Sequence, residues 1–270
     1  TDVKPTLEKL VVTMFVTYTA KFVGDELPKP WKAFVSYKAG NIIAFMDNLM
    51  NSILYRSRYD ELSAHVALGL NAQTALSEYP PEDLVNCDTF LVIDHILIDW
   101  IIGRLKAEDL GAKLDGLTIP QVCEKRCKMH FGERIGVQHQ MLSSAYQIIK
   151  AGRYQCPDGF KEILRQYQEE DFKLDYEYRR FYFAYDQIED ISHFEEVRGL
   201  VENIYTNEYL ETLLPKWNKA IMEPDAFIQL PLQRDFYSRS VKNAKERTVI
   251  IISDALRYEV GRELFQKMLD

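Results

Sequence analysis

Glu246–Asp270 reads ERTVIIISDALRYEVGRELFQKMLD. Four consecutive β-branched apolar residues, Val249–Ile252, follow Thr248; Ser253 and Asp254 come next, and then a helical pattern begins. An unbroken apolar run of this length, ended by a helix start, is the pattern of a strand buried on both faces of a parallel sheet. It predicts a strand over Thr248–Ser253 and a helix over Ala255–Leu269. Ligands in open α/β sheets sit beyond the carboxyl ends of such strands, which makes Asp254 the leading candidate functional residue. A parallel strand needs neighbours, and little sequence follows Asp254. The expectation is the front part of a larger protein, cut just after its first active-site residue.

Upstream of this segment the periodicity is helical. Leu7, Leu10, Val11, Met14, Phe15, Tyr18 and Phe22 share helical spacing, although the β-branched residues among them pull toward strand. Ile42–Leu54, Asp60–Leu70 and the strongly apolar Phe90–Leu105 predict further helices. Gly111–Leu117 reads as a loop. Thr118, with Pro120 in the first turn, starts a helix ending near Gly132. Gln138–Lys150 is the next. From Pro157 a helical region runs to about Asp190, with a break near Glu169–Asp171. Ser192 and Glu195 form a capping-box pattern for a helix through Tyr205. Asn207 caps another, which Pro215 should kink or restart. Phe227–Ala244 has weak periodicity. The domain expectation is a helical domain over 1–226, a connecting arm over 227–245, and the start of a truncated α/β domain over 246–270. The fold class is mainly α, followed by the first strand and helix of the α/β part.

Composition narrows the function classes. Of 270 residues, 47% are hydrophobic and 27% charged, which supports a packed core and excludes disorder. The formal net charge of −8 argues against a chain that coats nucleic acid or anionic membrane by bulk charge. The most apolar stretch, Phe90–Ile102, contains Asp94, His95 and Asp99 and is too short to span a bilayer. Nothing at the start resembles a secretory leader. Four cysteines without a disulfide spacing point to a reducing, cytoplasmic setting.

Asp254 has two readings. A carboxylate at a strand's carboxyl end can hold a divalent cation, or it can cap the helix that follows. Arg257 shares roughly its face of that helix and could support it or contact a phosphate, although pairing with a neighbouring acid serves equally well. Cys123, Cys127 and His130, with His139 nearby, have a spacing zinc could use, but three ligands along one helix is unusual and core packing is favoured. Arg134 and His139 have the R-x₄-H form of HEPN-type ribonucleases; Ile135 stands where that pattern has a polar residue, which weighs against it. Phe172–Tyr185 interleaves aromatics with Lys173, Arg179 and Arg180. Such a run can stack on bases, but the acids among them favour a core or partner interface. Asp94, His95 and Asp99 read as polar anchors at the core's edge, with His95 and Asp99 spaced to pair.

VIII followed by SDALRYE, Ser253–Glu259, resembles the opening motif of the PglZ domain, which is similar to the alkaline phosphatase superfamily. WKAFVS at Trp31–Ser36, YEYRRFYFAYD at Tyr176–Asp186, LVENIYTNEYL at Leu200–Leu210 and QRDFY at Gln233–Tyr237 extend the likeness to PglZ of the BREX anti-phage system. The resemblance implies that Asp254 is a ligand in a two-metal phosphoesterase site, with divalent ions, zinc foremost. A hydroxyl nucleophile and the remaining ligands would lie beyond Asp270, so this chain alone should be inactive. Paired divalent ions can activate a nucleophile and stabilise the leaving oxygen of a phosphate ester. The resemblance further implies a cytoplasmic defence protein acting on phosphate esters such as DNA or nucleotides, alongside other BREX proteins and away from membranes. A scaffold that docks those proteins without catalysis is the alternative.

Overall fold

The computed structural model describes residues 6–23, 27–152, 154–223, 226–227 and 230–269. These are mainly helical and divide into two compact units, one of residues 1–150 with 180–200, the other of 151–179 with 201–270.

The first unit begins with α1 (Leu7–Val23), the helix its apolar spacing predicts, despite the β-branched content. Next come α2 (Ala39–Asn51), α3 (Arg56–Gly69), α4 (Ala72–Ser77) and α5 (Pro81–Leu84), then the central α6 (Leu91–Lys106). Ile93, Leu97, Ile98, Ile101 and Leu105 bury most of the circumference of α6, as expected of a helix apolar nearly all round. The stretch read as a loop at Gly111–Leu117 holds a two-stranded antiparallel hairpin, β1 (Lys113–Leu114) and β2 (Leu117–Thr118). Asp115 and Gly116 turn it with φ of 47° and 76°, the pair of positive angles that a type I′ turn demands.

α7 (Ile119–Lys128) starts as predicted, with Thr118 and Gln121 forming a capping box and Pro120 in the first turn, but stops four residues short of Gly132. α8 (Gly132–Lys150) begins well before Gln138. It lies along α7 because Gly132 has no side chain: a Cβ there would stand 2.0 Å from the Cys127 carbonyl oxygen.

In the second unit, α9 (Phe160–Gln166) runs into a π-helical turn at Tyr167–Asp171 and on into α10 (Phe172–Tyr185). The break expected at Glu169–Asp171 is therefore a widened turn, not an interruption. α10 crosses from the second unit to the first and ends short of Asp190. α11 (Glu195–Glu202) follows the 3₁₀ turn Ser192–Phe194, and Ser192 donates to Asp190 rather than serving as its cap. A second π-helical stretch, Asn203–Leu210, leads into α12 (Glu211–Ala220). Asn207 is internal to this stretch and donates to Asn203, so it caps nothing. Pro215 stands inside α12, which continues past it to Ala220 rather than restarting there.

The strand expected at Thr248–Ser253 does not form. The segment is irregular, and Val249 and Ile252 stand in solvent. A strand exists only through hydrogen bonds to a neighbour, and among the described residues the hairpin is the only sheet. The final helix, α13 (Tyr258–Leu269), starts three residues later than expected, because a turn at Asp254–Ala255 places Ala255 in the left-handed region, φ 53°.

Candidate functional site

The Asp254 segment is built on α13. Asp254 is exposed at the tip of the turn, four residues before the helix, so it does not cap it. A non-glycine residue at positive φ is uncommon and is found disproportionately at functional turns. Arg257 is also outside the helix; it does not share a helical face with Asp254, and its Nε lies 3.7 Å from Glu259. A divalent ion needs three or more donors held together, and among the described residues no cluster of three His, Cys, Asp or Glu side chains is disposed to hold one. Asp254 by itself does not fit a metal, and no catalytic step follows from it alone.

Behind the turn, α13 is anchored in the second unit. Tyr258 meets the rings of Tyr167 and Phe172 at 5.8 and 5.6 Å, and its hydroxyl donates to the Gln168 carbonyl at 3.3 Å. Glu259 is buried beside Arg179, and Glu263 accepts from Arg179 at 2.6 Å. Beneath lies a network of tyrosines and carboxylates. Asp175 accepts from Tyr167 at 2.7 Å and Tyr205 at 2.9 Å, and Asp171 accepts from Tyr154 at 2.7 Å. Burial pushes both carboxyls above their ordinary range, and the tyrosine bonds only partly offset this. Both π-helical stretches supply this network, with Tyr167 and Asp171 from one and Tyr205 from the other.

The first unit holds a second polar centre. Asp94, expected at the core's edge, is fully buried within it. It accepts from Arg126 Nε at 2.7 Å and Nη2 at 2.8 Å, and lies 3.2 Å from His139 Nε2. Burial pushes the Asp94 carboxyl up, but His139 and the Arg126 guanidinium outweigh it and hold it below the usual carboxylate range. Asp88, 3.5 Å from Arg126, is raised by burial. His95 is exposed, and Asp99 pairs with His193 at 2.6 Å instead.

The other constellations separate. Cys123 is buried, and burial raises its thiol well above the ordinary value. His130 pairs with Asp60 at 2.6 Å, and Cys127 faces the Gly136 carbonyl. Arg134 reaches toward Asp60 at 3.6 Å while His139 turns inward to Asp94, so the two never meet as a catalytic pair. The aromatic run is partly internal: Phe181 and Tyr185 are buried, Tyr178 is half-buried and stacks on Tyr205 at 3.6 Å, and Phe183 is exposed.

Sequence reasoning missed Arg126. The available signal was a lone Arg on an otherwise apolar stripe, Ile119, Val122, Cys123 and Arg126, facing a helix with a lone buried acid.

Over 270 aligned residues the chain is 30% identical to the alkaline phosphatase-like protein PglZ of Bacillus cereus (strain H3081.97), covering 96% of this chain and 31% of that protein. It is 26% identical over 286 residues to the alkaline phosphatase-like protein BrxZ of Escherichia coli O9:H4 (strain HS), covering 97% and 32%. The resemblance to PglZ is thus borne out over nearly the whole chain, which spans about a third of the length of the curated relatives it matches. No protein-family model and no solved structure matches it. No helix among the described residues is long and apolar enough to cross a membrane.

Proposed function

We propose that this chain is the helical platform of an alkaline phosphatase-like phosphoesterase of BREX-type phage defence, acting in the cytoplasm on phosphate esters such as DNA or nucleotides. Residues 246–270 lead into its α/β part. Asp254 supplies one oxygen ligand of a divalent-ion site, zinc foremost, whose remaining ligands and nucleophile come from outside these residues. The observation that carries the reading is the similarity to alkaline phosphatase-like proteins about three times this length. The exposed turn supports it, since Asp254 is presented free of any capping role. The unpaired Val249–Ile252 backbone supports it too, being an apolar run that only a neighbouring strand would bury. Arg257, exposed and close to Asp254 in sequence, is available to a phosphate.

The test uses the longer protein that carries these residues. Asp254→Ala should lower chelator-sensitive hydrolysis of bis(4-nitrophenyl) phosphate at least about 10²-fold, since even groups that only support a metal ligand are worth about 10–100-fold. Unchanged hydrolysis removes Asp254 from the site. A second reading, a scaffold for other defence proteins, rests on the exposed apolar run Ile53–Tyr55 between α2 and α3. In that case Asp254→Ala leaves phage resistance intact.

A further inference from the structure

α13 presents two acids one turn apart, Glu259 and Glu263, to a single cation, Arg179 of α10. Arg179 Nη2 donates to Glu263 at 2.6 Å, and its Nε lies 3.9 Å from Glu259. Glu259 is only 2% exposed. Glu259 Oε1 and Arg179 Nε are both buried without a hydrogen-bond partner, so Glu259 relies on the nearby charges of Arg179 and Arg257 to offset its burial. Removing the Arg179 charge would leave Glu259 buried with only the exposed Arg257 nearby, and breaking such a pair is strongly destabilising. The flanking charges complete the clasp: Arg257 lies 3.7 Å from Glu259, and Lys267 lies 3.0 Å from Glu263. The segment after the turn is tied to the same helix, because the Gly261 amide donates to the Arg257 carbonyl at 3.0 Å.

We infer that Arg179 is a positioning residue: by holding Glu259 and Glu263 it fixes α13 and, through the hydrogen bond from Gly261 to the Arg257 carbonyl, the turn that presents Asp254. This rests on the reading of Asp254 proposed above.

The test has two arms. In the first, hydrogen exchange is followed in the whole chain. Arg179→Gln should speed exchange of the Tyr258–Leu269 amides about tenfold or more, with Phe160–Gln166 unaffected. Arg179→Lys, which keeps the positive charge beside both acids, should retain part of the protection. Unchanged exchange in Arg179→Gln overturns the inference. If Arg179→Gln also loosens Phe160–Gln166, Glu263→Gln decides: selective loosening of α13 upholds the inference, and no loosening overturns it. In the second arm, the longer protein's phosphodiesterase activity is measured. Arg179→Gln should lower kcat with KM little changed, and Arg179→Lys should retain more of it. Full activity alongside a loosened α13 overturns the positioning role. Hydrolysis indifferent to Asp254→Ala overturns the reading of Asp254 instead, and the exchange arm reports on the clasp regardless.

Discussion

Replacing Asp94 by Asn removes the charge at the centre of the first unit while keeping the side chain's size. The Arg126 guanidinium has no exposed surface. It would keep the Cys87 carbonyl at 2.8 Å and Asp88 at 3.5 Å, but lose the carboxylate that accepts from it at 2.7 and 2.8 Å. Removing one partner of a buried ion pair costs about 3–5 kcal/mol. Against a total of about 5–15 kcal/mol this is about a fifth of the stability or more, and it lowers Tm by about 10 °C for a chain of this size. Thermal and urea unfolding followed by circular dichroism measures it. The pH dependence supplies a second check. Because the folded Asp94 carboxyl lies below its unfolded value of 3.8, its contribution is present above that pH and is lost as pH falls through the folded value. The wild-type and Asp94→Asn stabilities should therefore differ most at neutral pH and converge on acidification. A loss under about 1 kcal/mol at pH 7, or a gap that stays open in acid, refutes the assignment of the network as a coupled ion pair.

Two further outcomes follow from single atoms. Gly132→Ala would bring a Cβ to 2.0 Å from the Cys127 carbonyl; the backbone must move, and a loss of about 1–3 kcal/mol is expected in the same unfolding assay. Tyr209→Phe removes a buried hydroxyl that has no hydrogen-bond partner, so stability should change by under about 1 kcal/mol or rise; a larger loss means the hydroxyl is bonded.

Helices were legible wherever apolar spacing was regular, as in α1 and α6, and wherever a cap was explicit, as at Thr118. The hairpin was also written in the sequence, in Asp115-Gly116, but its two-residue strands are too short to show alternation. The π-helical stretches were not legible, because widening a turn by one residue leaves local composition unchanged; Glu169–Asp171 looked like a break for that reason. The Val249–Ile252 run misled in the opposite way: its composition suits a strand, but pairing depends on a partner that composition does not describe. Of the candidate site, Asp254 was legible from its place after that run. Arg179's role was not, since the acids it binds lie some eighty residues away.

Val249–Ile252 also has a colloidal consequence. Thr248–Ser253 combines high β-propensity and hydrophobicity with no charge and no proline, the profile of a segment that seeds intermolecular sheets when left uncovered. Charged residues bracket it closely, Lys245, Glu246 and Arg247 before and Asp254 and Arg257 after. These act as gatekeepers, repelling a second copy at both ends of the run. On this view Asp254 also keeps the chain dispersed until the run is covered, and neutralising it would promote self-association as well as alter chemistry.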